Sequence, residues 1–133
     1  MMDDCYCGYD YDFTWALYRP SRVVARKAHF CYECGASIRP GERYEYVFAI
    51  GQGEVYTYHT CARCLALRED LESAPCFCWS HGHMLEDIAN VVDDMDRSPE
   101  RWIFRLRLAR IKHVAMKDRS ERKAQHYRSA DDE

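Results

Sequence analysis

Cys31 and Cys34 are separated by two residues, and so are Cys61 and Cys64. Two thiols at that spacing can turn the backbone on itself and present both sulfurs to one ion; a second such pair completes a tetrahedral four-thiolate shell. The chemistry this suits is zinc ligation by Cys31, Cys34, Cys61 and Cys64. Scattered buried thiols or disulfides are the bland alternative, and two evenly built pairs favour the metal over it. His59 stands two residues before Cys61 and could replace that thiol, although a thiolate is the softer ligand and keeps the pair regular. Four cysteines remain. Cys5-x-Cys7 and Cys76-x-Cys78 form a second candidate four-thiolate site, which would join the N-terminus to the middle of the chain, with His81 and His83 close enough to Cys78 to compete as ligands. The alternative use of the second set is as small buried residues, with His81 and His83 capping the next helix. Two zinc ions are therefore expected.

Stepping outward, the 26 residues between the two Cys-x-x-Cys pairs leave room for a hairpin. Tyr44, Tyr46, Phe48 and Ile50 alternate with Glu45, Val47 and Ala49; Gly51-Gln52-Gly53 supplies a turn; Val55 to His59 returns. From Thr60 as N-cap, Cys61, Cys64, Leu65 and Leu71 have helical spacing that must end before Pro75. Upstream, 19–27 reads as a strand with a basic face made by Arg19, Arg22, Arg26 and Lys27, and Ile38 to Glu42 reads as a turn. Downstream, Met84, Leu85, Ile88, Val91, Val92 and Met95 mark an amphipathic helix. Ser98-Pro99 opens a last helix expected to reach about Lys123, with a polar, fraying end from Lys117. The fold class expected is small α+β and zinc-stabilised: a knuckle, a β-hairpin and a helix that resemble a treble-clef finger, followed by two further helices. The expected organisation is a zinc-binding domain over 1–96 that includes an aromatic N-terminal segment, a basic amphipathic helix over 97–127, and an acidic tail over 128–133.

Composition bounds the function. An apolar fraction of 47% excludes a wholly disordered chain. The acidic opening Met1-Met2-Asp3-Asp4 has no signal region and no run approaches membrane-spanning length, so a cytoplasmic protein with reduced thiols and no membrane partner is expected. The net charge of −3 hides a segregation: residues 1–100 hold 9 Lys/Arg against 17 Asp/Glu, and residues 101–128 hold 10 against 2, or +8. Such asymmetry marks an interaction surface or a basic helix docked on an acidic body.

The run HFCYECGASIRPGERYEYVFAIGQGEVYTYHTCARCLALRE, followed by CFCWSHG, is similar to small cysteine-rich proteins encoded in tailed phages and prophages, over about residues 20–90. The resemblance implies a zinc-finger fold and a phage setting, the host cytoplasm, in which such proteins serve as regulators, accessory factors and inhibitors of host enzymes.

Three functions compete. Catalysis is disfavoured, because a four-thiolate zinc is closed and no metalloprotease, deaminase, P-loop or nucleophile-elbow motif is present. A zinc-containing nuclease of the His-Asn-His class is the enzyme alternative, and Tyr58-His59 lacks its acidic partner. Nucleic-acid binding would use the cations of 101–128 interleaved with Trp102 and Phe104. Protein binding, including inhibition or self-association, is preferred, because the net negative charge weakens phosphate attraction and the apolar surface of the last helix wants a hydrophobic partner. The residues expected to carry binding are Trp102, Arg105, Leu106, Arg107 and Arg110.

Overall fold

The computed structural model of the chain describes residues 15–72, 77–95 and 98–131, with side chains to 126. Five strands and three helices follow one another: β1 (Trp15–Val24), β2 (His29–Phe30), β3 (Ser37–Ile38), β4 (Arg43–Gly51), β5 (Glu54–Cys61), α1 (Ala62–Leu71), α2 (Met84–Asp94) and α3 (Pro99–Asp131). β1, β4 and β5 form an antiparallel sheet in that order, and β2 pairs with β3 as a separate ribbon. This is a small α+β fold.

The hairpin forms where the alternation and the turn place it. Gln52 and Gly53 have φ of 52° and 78°, the left-handed pair that a two-residue hairpin turn needs. Gly51 then faces Glu54, and the register carries Tyr46 opposite His59 and Tyr44 opposite Cys61. β5 therefore delivers the second cysteine pair beside the start of β4. Thr60, expected as the N-cap, stays in β5 opposite Glu45; the cap position falls to Cys61, without a side-chain cap bond. Strand pairing kept Thr60 extended one residue longer than the capping signal suggested.

β1 begins earlier than the basic stretch, because Trp15, Leu17 and Tyr18 pair with Gly51, Ile50 and Ala49. It is an edge strand, as Pro20 within it requires. It ends at Val24, after which Ala25 bonds through its N–H to Glu42 and through its carbonyl to Gly41, both at 2.9 Å.

The alternation on β4 separates two faces of different depth. Val47 and Ala49 are wholly buried and Glu45 nearly so, whereas Tyr46, Phe48 and Ile50 are only half-buried. The polar member of the deep face is matched: Arg68 of α1 donates two hydrogen bonds to Glu45, at 2.8 and 2.6 Å, with both side chains 7% exposed. The same guanidinium lies 4.4 Å from the ring centre of Trp79. A fork-to-fork pair of this kind ties α1 to the sheet with a fixed geometry.

The core joins all three helices to the cysteine region. Leu67 and Leu71 of α1, Met84, Ile88 and Val92 of α2, and Leu108 and Ile111 of α3 cluster with Ala25, Ile38 and Tyr44. The helix expected to end near Lys123 runs to Asp131. Its far half is pinned where fraying was expected: Asp118 accepts from the Ser37 backbone at 3.1 Å and hydroxyl at 3.0 Å. Arg122 bonds the Gly35 carbonyl at 3.1 Å and lies over the Phe30 ring. No described helix is long and apolar enough to cross a membrane.

Candidate metal centre

The first pair sits in the tight turn between β2 and β3. The Cys34 and Gly35 N–H groups turn back on Cys31, to its Sγ at 3.5 Å and its carbonyl at 2.9 Å, and Gly35 takes φ 80°, a backbone state that suits glycine best. The second pair comes from the end of β5 and the first turn of α1. The two are stitched together by Cys61 N–H to Cys31 Sγ at 3.4 Å and Tyr32 N–H to the His59 carbonyl at 2.7 Å.

The four sulfurs consequently converge. All lie within 4.8 Å of one another, with Cys31 and Cys64 at 3.9 Å and Cys34 and Cys61 at 3.8 Å. A tetrahedral four-thiolate site with metal–sulfur bonds of about 2.3 Å needs sulfurs about 3.8 Å apart, whereas a disulfide needs about 2.0 Å. These cysteines are free, so the spacing suits a shared ion and not a covalent bond. Their electrostatics agree: hydrogen bonds from Cys34, Cys61 and Cys64 hold the Cys31 thiol far below its ordinary range. The same contacts, with Cys31 first, push Cys64 up. Four crowded thiols cannot share negative charge unaided, and a divalent cation at their centre removes that conflict. Cys31, Cys34, Cys61 and Cys64 are thus the residues that could hold a metal, and they form the one such group among the described residues.

The alternates stand elsewhere. His59 is outside the sulfur cluster, its ring stacked on His29 at 4.4 Å and on Tyr44 at 5.5 Å. Of the second expected site, Cys5, Cys7 and Cys76 lie outside the described residues. Cys78 is the one member of that set within the described residues. His81 stacks on Tyr58 at 4.0 Å and shares a 2.8 Å hydrogen bond with the Tyr18 hydroxyl. His83 is exposed, 3.9 Å from Glu86.

Neither histidine caps α2 through its side chain. The role falls to Glu33, inside the first cysteine pair: its carboxylate accepts from Gly82 N–H at 2.9 Å and from Met84 N–H at 3.2 Å. Sequence reading passed over it because a cap 51 residues away leaves no local pattern. A buried acid between two ligands was the only clue available.

The candidate binding helix divides. Trp102 and Leu106 are 60% and 68% exposed. Arg105 and Arg107 turn to the chain's own acids, Asp93 at 3.3 Å and Asp70 at 2.6 Å, while Arg110 is exposed. Comparison with protein families, curated proteins and solved structures found no match to this chain.

Proposed function

We propose that the chain is a zinc-stabilised, non-catalytic interaction module of treble-clef type, which binds a protein partner through the outer face of α3. The observation that carries the reading is that α3 has two apolar faces. Leu108, Ile111 and Ala115 are buried, yet Trp102, Leu106, Ala109, His113 and Met116 share the opposite side and all are exposed. Single exposed apolar residues are ordinary, but a row spaced by three and four along one helix is the pattern laid into a partner's hydrophobic groove. A four-thiolate zinc offers no open coordination position, which supports scaffolding over catalysis. The resemblance to phage and prophage proteins supports an accessory role in a host cytoplasm, with inhibition of a host or phage protein as one form.

Replacing Leu106 and Met116 together by Lys tests the reading. The variant should keep its metal and its melting temperature. It should lose a partner that the native chain retains on affinity capture, or lose self-association by sedimentation. Retention of the partner, or a native chain with neither partner nor self-association, would refute it.

A second reading, nucleic-acid binding, is favoured by the basic stretch that precedes the knuckle. Arg26, Lys27, His29, Tyr44 and Tyr46 line an open hollow of about 880 Å³, where cations and rings could take phosphate and base. A gel shift that weakens steeply with salt and vanishes in Arg26→Glu/Lys27→Glu would establish this reading instead.

A further inference from the structure

On the Val47 and Ala49 side of the sheet, Trp15, Tyr18, Tyr56, Tyr58 and Trp79 line a cleft of about 610 Å³ together with Ser80 and His81. Its walls are rings set at right angles. Tyr56 and Tyr58 are parallel, 6° apart in plane, and Trp15 stands across both at 79°, with centroids 5.5 and 6.5 Å away. Tyr58 is backed by the His81 ring, and Trp79 stands across His81 at 86°. An apolar guest here would meet ring faces from several directions, and ring faces carry negative potential that attracts cations.

Two carboxylates stand near the cleft among the described residues, and each already has partners. Glu33 lies behind His81, its Oε2 3.8 Å from Nδ1, and Glu54 accepts from the Tyr56 hydroxyl at 2.9 Å. Neither carboxylate lines the cleft. Arg68, behind Trp79, is neutralised by Glu45. The phenols stay neutral: Tyr18 is pushed up to about 12, first by burial and then by Glu45, and the Tyr58 phenol is raised by burial ahead of Tyr32 and Glu33. The cleft therefore offers aromatic rings with no carboxylate in its lining, and the Tyr18 and Tyr56 hydroxyls already have partners. A primary ammonium would have to exchange its hydrogen bonds to water for the few hydroxyl oxygens of the lining. A fully alkylated ammonium has none to lose.

The geometry points to a binding site for a trimethylammonium group, walled by Trp15, Tyr56, Tyr58 and Trp79. Such a group comes either from a small quaternary amine such as choline or from a trimethylated lysine side chain. The inference is independent of the α3 interface.

Calorimetric titration of the full chain with tetramethylammonium, choline and the neutral tert-butyl isostere of choline tests it. A short peptide with and without trimethyl-lysine separates the two sources. The expected result is saturable binding of the cations at least about tenfold tighter than the neutral isostere, as desolvated cation–ring contacts allow. Tyr58→Leu, which keeps an apolar wall but removes the ring, should weaken the cations about tenfold or more while leaving the isostere within a factor of about two. A preference for the methylated peptide over free choline assigns the side-chain source, and the reverse assigns the small molecule. Absence of saturable binding, equal affinity for the isostere, or indifference to Tyr58→Leu in a variant of native circular dichroism would overturn the assignment.

Discussion

At the scale of single residues, the sulfur cluster and the Glu45–Arg68 pair make different predictions because one calls for a cation at its centre and the other is complete in itself. Cys61→Ser should release the metal and unfold the β4–β5 end, while His59→Ala should leave the metal bound, read by elemental analysis of the purified variants. Loss of metal in His59→Ala would restore His59 as a ligand. Thiolates must be deprotonated to ligate, so protons compete with the ion: occupancy should be full near neutrality and fall as pH falls, followed with a chromophoric chelator. For the ion pair, Arg68→Met alone leaves a buried carboxylate unpartnered and should cost about 3–5 kcal/mol in denaturant unfolding. Glu45→Leu/Arg68→Met together should recover most of that stability; a double variant as weak as the single would show that the pair is needed for more than charge compensation.

At the scale of elements, α3 is the instructive case. An amphipathic helix usually has one face to bury, and here the stripe through Leu108, Ile111 and Ala115 is the one that its own body takes. Its far half has little apolar surface and is held by polar contacts to the cysteine knuckle instead. Asp118→Ala removes the acceptor of two bonds from Ser37 and the partner of Arg122 at 3.0 Å. Leaving the Ser37 N–H unpaired should cost about 1–3 kcal/mol. Amide exchange should quicken in residues 116–126 and remain slow around Leu108; unchanged exchange there would mean that the helix needs no such anchor. Leu108→Ala, in contrast, should cost about 2–5 kcal/mol through a core cavity. Deleting α3 to test binding would strip that core, so surface substitutions at Leu106 and Met116 are the cleaner probe.

At the scale of the whole molecule, residues 31–37 are where the elements meet. The sulfurs join the knuckle to β5 and α1, Glu33 holds the start of α2, and Gly35 and Ser37 receive α3. A structural zinc contributes about 10–16 kcal/mol in small fingers, comparable to the entire stability of an ordinary domain. Chelation should therefore release all three helices in one cooperative step, seen as a single loss of helical circular dichroism that returns with added zinc. A surviving α2–α3 signal after complete metal removal would show instead that the helices form an independent unit.

The convergence of the two cysteine pairs, the hairpin with its Gly51-Gln52-Gly53 turn and the starts of α2 and α3 were legible in the sequence because each rests on local rules: pair spacing, alternation, turn residues, a proline at the first helical position. What the sequence could not decide was long-range matching. The alternation of Tyr44, Tyr46, Phe48 and Ile50 with Glu45, Val47 and Ala49 left open which face of β4 is the deeper; Arg68 arrives on the second and makes Glu45 a buried member. Arg105 and Arg107 were candidate binding charges, and only the fold sets Asp93 and Asp70 beside them. Glu33 could become the cap of α2 only after the knuckle brought it to Gly82. Local propensity fixes which backbone states are available; desolvation and ion pairing between distant residues select which surfaces close, and those terms exist only once the tertiary structure has formed.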